Sequence, residues 1–271
     1  MASTDTVHGT DNKLRVAVHK FSSCDGCQLA ILNLGDALLE LAQWVDFIHF
    51  AELGTLAPEA QVDVSFVEGS ISTPDDLERI RRVREQSARV ISIGACATAG
   101  GIQALRNEMT GPVWVNSIYP QAQFLRYLPS STPIAQHIRV DFELWGCPIT
   151  SAQVINAMQS LVQGHLPWQE SESVCLACKR SGAVCVLVTQ QAACLGPVTR
   201  GGCGALCPRG GRACYGCFGP SDGPNTAAMI NRFAGFGMRN DEIARRFRLI
   251  NNAAPAFREA AQTVSGSTDH E

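Results

Sequence analysis

Between residues 13 and 165 the chain alternates short apolar runs with stretches whose apolar positions recur at helical spacing. LRVAVHKF (14–21), WVDFIHFAEL (44–53), VDVSFVEGS (62–70), ARVISIGA (88–95) and RVDFELWG (139–146) read as strands. LAILNLGDALLELAQ (29–43) carries a helical stripe. PDDLERIRRVREQS (74–87) reads as a helix with Pro74 in its first turn and acidic residues near its start. SAQVINAMQSLVQG (151–164) reads as a helix closed by a glycine. Continuous Val/Ile-rich strands alternating with helices predict an α/β fold, a parallel sheet with helices on both faces.

From residue 169 the pattern changes. Eight cysteines fall between 175 and 217 among Gly, Pro and Arg, followed by a short helix pair at 225–235 and 240–247 and a tail, VSGSTDHE, expected to fray. This half looks too poor in apolar residues for an ordinary core, so metal ligation is expected to hold it. Two domains are therefore expected, 13–168 and 169–271.

Composition narrows the chemistry. The 271 residues are 45% hydrophobic and 17% charged, with a net charge of −3, which argues against nucleic acid as the main ligand. No apolar run approaches a membrane span, and the polar opening MASTDTVHGTDNK has neither an apolar core nor a twin arginine. The expectation is a cytoplasmic chain without a membrane anchor. In a reducing compartment twelve cysteines point to metal or redox work rather than disulfides.

Four of them, Cys24, Cys27, Cys96 and Cys147, each follow the end of a predicted strand. In an open parallel sheet those ends share one edge, where ligands bind, so the fold should gather four thiolates there. Gly94, Gly100, Gly101 and Gly146 would allow close backbone approach. Cys24 and Cys27 alone could form a dithiol redox pair, but that leaves Cys96 and Cys147 unexplained. The other eight, Cys175, Cys178, Cys185, Cys194, Cys203, Cys207, Cys214 and Cys217, suffice for two four-thiolate sites. Spacing alone admits zinc or iron–sulfur and several partitions. The irregular intervals and the additional sheet-edge site favour iron–sulfur. A zinc-stabilised scaffold is the rival from another class.

CDGC (24–27), VEGSIST (67–73), GACATAGG (94–101), GCP (146–148) and CLGPVTRGGCGALCP…CYGCFGP (194–220) together resemble the small subunit of nickel–iron hydrogenases, most closely the cytosolic sulfhydrogenase delta type of soluble NAD(P)-linked enzymes. The resemblance covers roughly 13–220. It implies a flavodoxin-like N-terminal half, shared with the small cluster-bearing subunit of respiratory complex I, followed by an irregular iron–sulfur domain. It implies three [4Fe–4S] clusters: proximal on Cys24, Cys27, Cys96 and Cys147, distal on Cys175, Cys178, Cys185 and Cys194, and medial on Cys203, Cys207, Cys214 and Cys217. Relatives often place a histidine where Cys175 stands, and many use three cysteines at the medial site, where Cys207 here supplies a fourth. The implied partners are a large subunit holding the nickel–iron centre and a diaphorase module with FAD and NAD(P). Coupling to heterodisulfide reductase or deazaflavin is the alternative. No catalytic residue is expected in this chain. Glu68 is expected either near the proximal cluster or as a loop carboxylate accepting backbone N–H groups. His49 and His165 are expected to be structural or exposed. Arg200, Arg209 and Arg212 could offset cluster charge or lie solvated.

Overall fold

A computed structural model describes residues 13–109 and 113–266. The polar opening up to residue 12 and the tail beyond 266 lie outside the described residues. Strands β1 (Leu14–Lys20), β2 (Val45–Phe50), β3 (Val62–Glu68), β4 (Ser87–Ile93) and β5 (Phe142–Leu144) form one sheet in the order β2-β1-β3-β4-β5. Every pairing is parallel. This is the flavodoxin-like order, with its switch point between β1 and β3.

The helices are α1 (Gly26–Leu32), α2 (Asp36–Leu41), α3 (Pro74–Gln86), α4 (Gly94–Ala99), α5 (Val113–Ile118), α6 (Ser151–Val162), α7 (Val174–Arg180), α8 (Val186–Thr189), α9 (Leu206–Arg209), α10 (Thr226–Ala234), α11 (Asn240–Asn251) and α12 (Pro255–Ser265). The expected helix over 29–43 is two helices. Asn33 caps α1, and Gly35, at φ 58°, starts α2 from a conformation that a side chain disfavours. α3 and α6 begin as reciprocal capping boxes, Thr73 with Asp76 and Thr150 with Gln153.

One face of the sheet packs Val16, Val18, Phe66 and Ile91 against Ile31 of α1 and Val154 and Met158 of α6. The other packs Val67 and Val90 against Ile80 and Val83 of α3.

The cysteine-rich half departs from expectation. It has a true apolar core: Met229, Phe233, Ile243, Phe247, Phe257, Ala260, Ala261 and Val264 pack with Leu195 and Val198 and with Ala99 and Trp145 of the sheet domain. Helix α12 completes a trio where a pair was expected, and Val264, at the start of the supposedly frayed tail, is buried within it. The two halves interlock. Ala253 N donates to Ala99 O (3.1 Å), Asn252 Nδ2 to Ala104 O (2.9 Å), and Arg248 pairs with Glu108 (2.6 Å).

Candidate metal centres

All twelve cysteines are free thiols, four at the sheet edge and eight in the loops that follow. At the sheet's C-terminal edge, Cys24 follows β1, Cys27 sits in the first turn of α1, Cys96 lies in α4 directly after β4, and Cys147 follows β5. Burial and neighbouring charges act on Cys27, Cys96 and Cys147. Burial pushes Cys96 up to about 12, and Cys147 and Cys24 add to the rise. Burial and then Glu68 push Cys27 higher still, with Cys96 and Cys147 contributing. Cys147 rises through burial, Cys24 and Glu68. Gly94 and Gly101 have φ of 82° and 63°. A Cβ on Gly94 would overlap Cys27 Sγ, and one on Gly101 would lie 2.6 Å from Cys96 Sγ. The backbone is thus drawn against two sulfurs where only glycine fits.

Among the C-terminal eight, burial and neighbouring thiols act together on Cys175, Cys178, Cys214 and Cys217. Cys175 is pushed up to about 11 by burial, then by Cys178, Cys194 and Cys185. A Cβ on Gly196 would lie 3.3 Å from Cys194 Sγ and 3.8 Å from Cys175 Sγ, so these two thiols face one glycine. Cys217 is pushed up to about 12 by burial, then by Cys203, Cys147 and Cys207. Cys214 rises to about 12 through burial, with Cys194 and Cys217 adding.

Three influences link cysteines far apart in the chain. Cys147 acts on Cys217, Cys203 on Cys178, and Cys194 on Cys214, whose N–H donates to Cys194 Sγ at 3.2 Å. These influences tie the sheet-edge thiols to the C-terminal eight, and the C-terminal eight to one another.

The donor chemistry fits a cluster. Thiolates brought together at one place need a bound cation or cluster to offset their charge, and thiolate sulfur is the donor that both zinc and iron–sulfur groups take.

Glu68 reconciles both expectations for it. It ends β3, is 2% exposed, and accepts from Cys27 N (3.1 Å) and Gln28 Nε2 (2.8 Å). Burial raises its pKa, and those two hydrogen bonds oppose the rise. Arg200 is half-buried, lies over Trp145 at 5.6 Å and near Asp222 at 3.9 Å. Arg209 and Arg212 are exposed. His49 stacks at 4.8 Å on His19. Burial, then His49 and Arg79, push His19 down to about 3, so both rings belong to the sheet rather than to a thiol site.

Sequence reasoning missed the residues that brace the cysteine loops. Arg246 of α11 donates from Nε to Ala193 O (2.8 Å) and from Nη2 to Cys214 O (3.1 Å), and lies 4.4 Å over the Tyr215 ring. Asn251 Nδ2 donates to Gly216 O (2.6 Å). The Gln103 carboxamide acts on Cys96, countering its rise. Only the helical periodicity of α11 could have hinted at the first two.

A five-stranded parallel sheet with thiols at its C-terminal edge and eight more in adjoining loops defines a hydrogenase small-subunit fold. Residues 24–161 match the family described as NADH ubiquinone oxidoreductase, 20 Kd subunit. The chain is 34% identical over 238 residues to sulfhydrogenase 2 subunit delta of Pyrococcus furiosus, covering 87% of this chain and 98% of that protein. It is 31% identical to a subunit of the F420-non-reducing hydrogenase vhu of Methanocaldococcus jannaschii, covering 88% of this chain and 93% of that protein. Among solved structures, an NAD+-reducing [NiFe]-hydrogenase in the H2-reduced state aligns with a TM-score of 0.54 at 26% identity, covering 58% of this chain and 95% of that one. The chain belongs to the family of [NiFe] hydrogenase small subunits, of the sulfhydrogenase delta type, whose N-terminal half is that of the 20 Kd subunit. It is thus an oxidoreductase subunit. Among the described residues no helix is long and apolar enough to cross a membrane.

Proposed function

We propose that this chain is the electron-transfer subunit of a [NiFe] hydrogenase, holding three [4Fe–4S] clusters between the nickel–iron site of a large subunit and an NAD(P)-linked flavin module. The observation that supports this reading is the gathering of Cys24, Cys27, Cys96 and Cys147 at the sheet's C-terminal edge, with Gly94 and Gly101 drawn against two of the sulfurs and eight further cysteines in the adjoining loops; on this reading the three thiol neighbourhoods stand in a row, proximal, medial and distal. Cys24, Cys27, Cys96 and Cys147 hold the proximal cluster. Cys203, Cys207, Cys214 and Cys217 hold the medial one, and Cys175, Cys178, Cys185 and Cys194 the distal one. When bound, such clusters supply one-electron carriers whose potentials follow hydrogen bonding and burial. The chain's own residues set that environment. Glu68 fixes the Cys27 backbone, Gln103 lies beside Cys96, and Arg246 and Asn251 clamp the loop between Cys194 and Cys217.

The extent of the relatives supports a second reading of the acceptor. The F420-non-reducing relative runs alongside 88% of this chain, whereas the NAD+-reducing one accounts for 58%. On that reading the distal cluster serves a heterodisulfide-type or other iron–sulfur acceptor in place of NAD(P).

The test is iron, acid-labile sulfide and zinc per chain on anaerobically purified protein. We expect roughly twelve iron and twelve sulfide with a brown colour bleached by dithionite. Zinc at about two or three with no colour overturns the reading. Cys24→Ser in the assembled complex is expected to abolish hydrogen-dependent acceptor reduction while sparing the C-terminal iron; normal turnover would remove the proximal assignment. Whether NAD(P)H or a reduced protein acceptor is formed by the wild-type complex separates the two readings.

A further inference from the structure

We infer that the face around Cys185 is a docking surface for an acidic, soluble electron-transfer protein. The inference rests on the second of the two readings above, in which an iron–sulfur protein is the acceptor, and concerns the far end of the row. Charge is segregated along the chain. The segment 173–221 contains Lys179, Arg180, Arg200, Arg209 and Arg212 and no Asp or Glu, although the whole chain has 25 acidic residues against 22 basic ones. Lys179, Arg180, Arg209 and Arg212 are all exposed. Arg209 lines an open groove of about 330 Å³, walled on one side by Ser181, Val184 and Val186 and on the other by Pro208 and Gly211; Lys179 and Arg180 directly precede the first wall in the chain and Arg212 directly follows the second.

The same walls expose apolar side chains. Val184 in the groove is 68% exposed, Val188 on the adjoining α8 65%, and Leu206 at the start of α9 73%. An apolar centre rimmed by charge of one sign is the anatomy of a protein interface. Cys185, flanked by Val184 and Val186, is exposed, unlike the buried Cys194 and Cys214. On that reading it belongs to the neighbourhood farthest along the row from the sheet edge. The groove therefore lies beside the exposed thiol of that far neighbourhood, while Cys24 is the exposed thiol at the sheet edge.

The occupant follows from charge. Cations without a neighbouring carboxylate in the segment, on a chain of net charge −3, repel basic proteins locally and steer acidic ones toward this face. Such steering raises association rates by roughly 10- to 1,000-fold at low salt and fades as ionic strength rises.

The test uses the complete hydrogenase complex and two protein acceptors of opposite charge, an acidic two-cluster ferredoxin and a basic cytochrome c. Methyl viologen serves as a small acceptor that needs no docking surface. We expect hydrogen-dependent reduction of the acidic ferredoxin to slow about tenfold or more as salt rises, and reduction of cytochrome c to quicken or stay flat. The variant Lys179→Glu/Arg180→Glu/Arg209→Glu should lose at least about tenfold in kcat/KM for ferredoxin, lose its salt dependence, and keep the viologen rate. Ferredoxin reduction that is independent of salt in the wild type, or unchanged in the variant, overturns the docking surface. The salt series on the wild type decides the matter even if the variant fails to assemble. A wild-type complex that reduces viologen but neither protein also overturns the surface. A complex that holds no iron overturns the electron-transfer reading itself.

Discussion

Phe257→Ala tests whether the cysteine-rich half is held by packing or by metal alone. Phe257 is 1% exposed and meets Phe247 edge-on at 5.7 Å between ring centroids. Its Cε2 also lies 3.3 Å from where a Cβ on Gly216 would stand, so the ring rests on the loop between Cys214 and Cys217. Truncating a buried phenylalanine costs about 3–5 kcal/mol, from lost transfer energy and the cavity left behind. At roughly 2–4 °C per kcal/mol for larger domains, the melting temperature should fall by about 6–20 °C. The assay is thermal melting by circular dichroism at 222 nm on the metal-loaded chain, kept anaerobic. Phe257→Leu should lose only about a third as much, since it keeps most of the volume. A drop below about 2 °C for the alanine variant would refute the reasoning and return the stability of this half to its metal sites.

Gly94→Ala places a Cβ on Cys27 Sγ at a φ of 82°, and iron per chain should fall by about four of twelve while the C-terminal sites stay filled. Gly219→Ala drives a Cβ into the Trp145 ring at a φ of 72°; we expect a loss of about 2–4 kcal/mol, read as a lower melting temperature together with a changed Trp emission. Asp141 accepts from Arg84 Nη1 (2.6 Å) and Val90 N (2.8 Å), and these bonds hold its carboxyl below the usual value of 3.8 despite the opposing effect of burial. A depressed folded pKa means stability that is complete above pH 3.8 and lost as pH falls through the lower folded value. Asp141→Asn should therefore cost about 1–2 kcal/mol near neutrality and progressively less in acid, measured by urea melts across pH.

The sheet was legible because its strands are short apolar-rich stretches with residues of both faces buried along most of their length, as in Val62–Glu68, and no helical period obscures them. The sheet-edge thiols were legible for a topological reason: each of Cys24, Cys96 and Cys147 trails a strand. The break in 29–43 was not, because Leu34 keeps the apolar stripe going through a turn that Asn33 and Gly35 impose. The second core was underread for a different reason. Counting apolar residues inside 169–271 overlooks what other segments lend, namely Ala99 and Trp145. Much of the stripe of α12 is also alanine (Ala260 and Ala261), which packs helices closely while registering weakly as hydrophobic. The bracing residues Arg246 and Asn251 act on loops some 30 positions earlier in the chain, a distance at which no local pattern speaks.

The placement of the thiol neighbourhoods follows from two rigid frames that meet at one joint. The sheet presents Cys147 directly after Trp145 and Gly146, and Trp145 is pinned by Gln169, whose Oε1 accepts from its N–H (2.9 Å) and whose Nε2 donates to its carbonyl (2.9 Å). The helical trio presents Cys214 and Cys217 through Arg246, Asn251 and Phe257. Gly219 closes on the Trp145 ring, and Ala253 N on Ala99 O locks the trio to α4, the helix that carries Cys96. The coupling of Cys147 with Cys217 lies at that joint. Loops rich in glycine and proline could not hold sulfurs at fixed separations by themselves, because their backbones have too much freedom to lose. Anchored at both ends to preformed frames, they need only short spans of irregular chain between fixed points. The apolar packing of α10, α11 and α12 thus matters to the thiol sites as much as the cysteines do, since it fixes the frame that holds Cys214 and Cys217 beside the sheet edge.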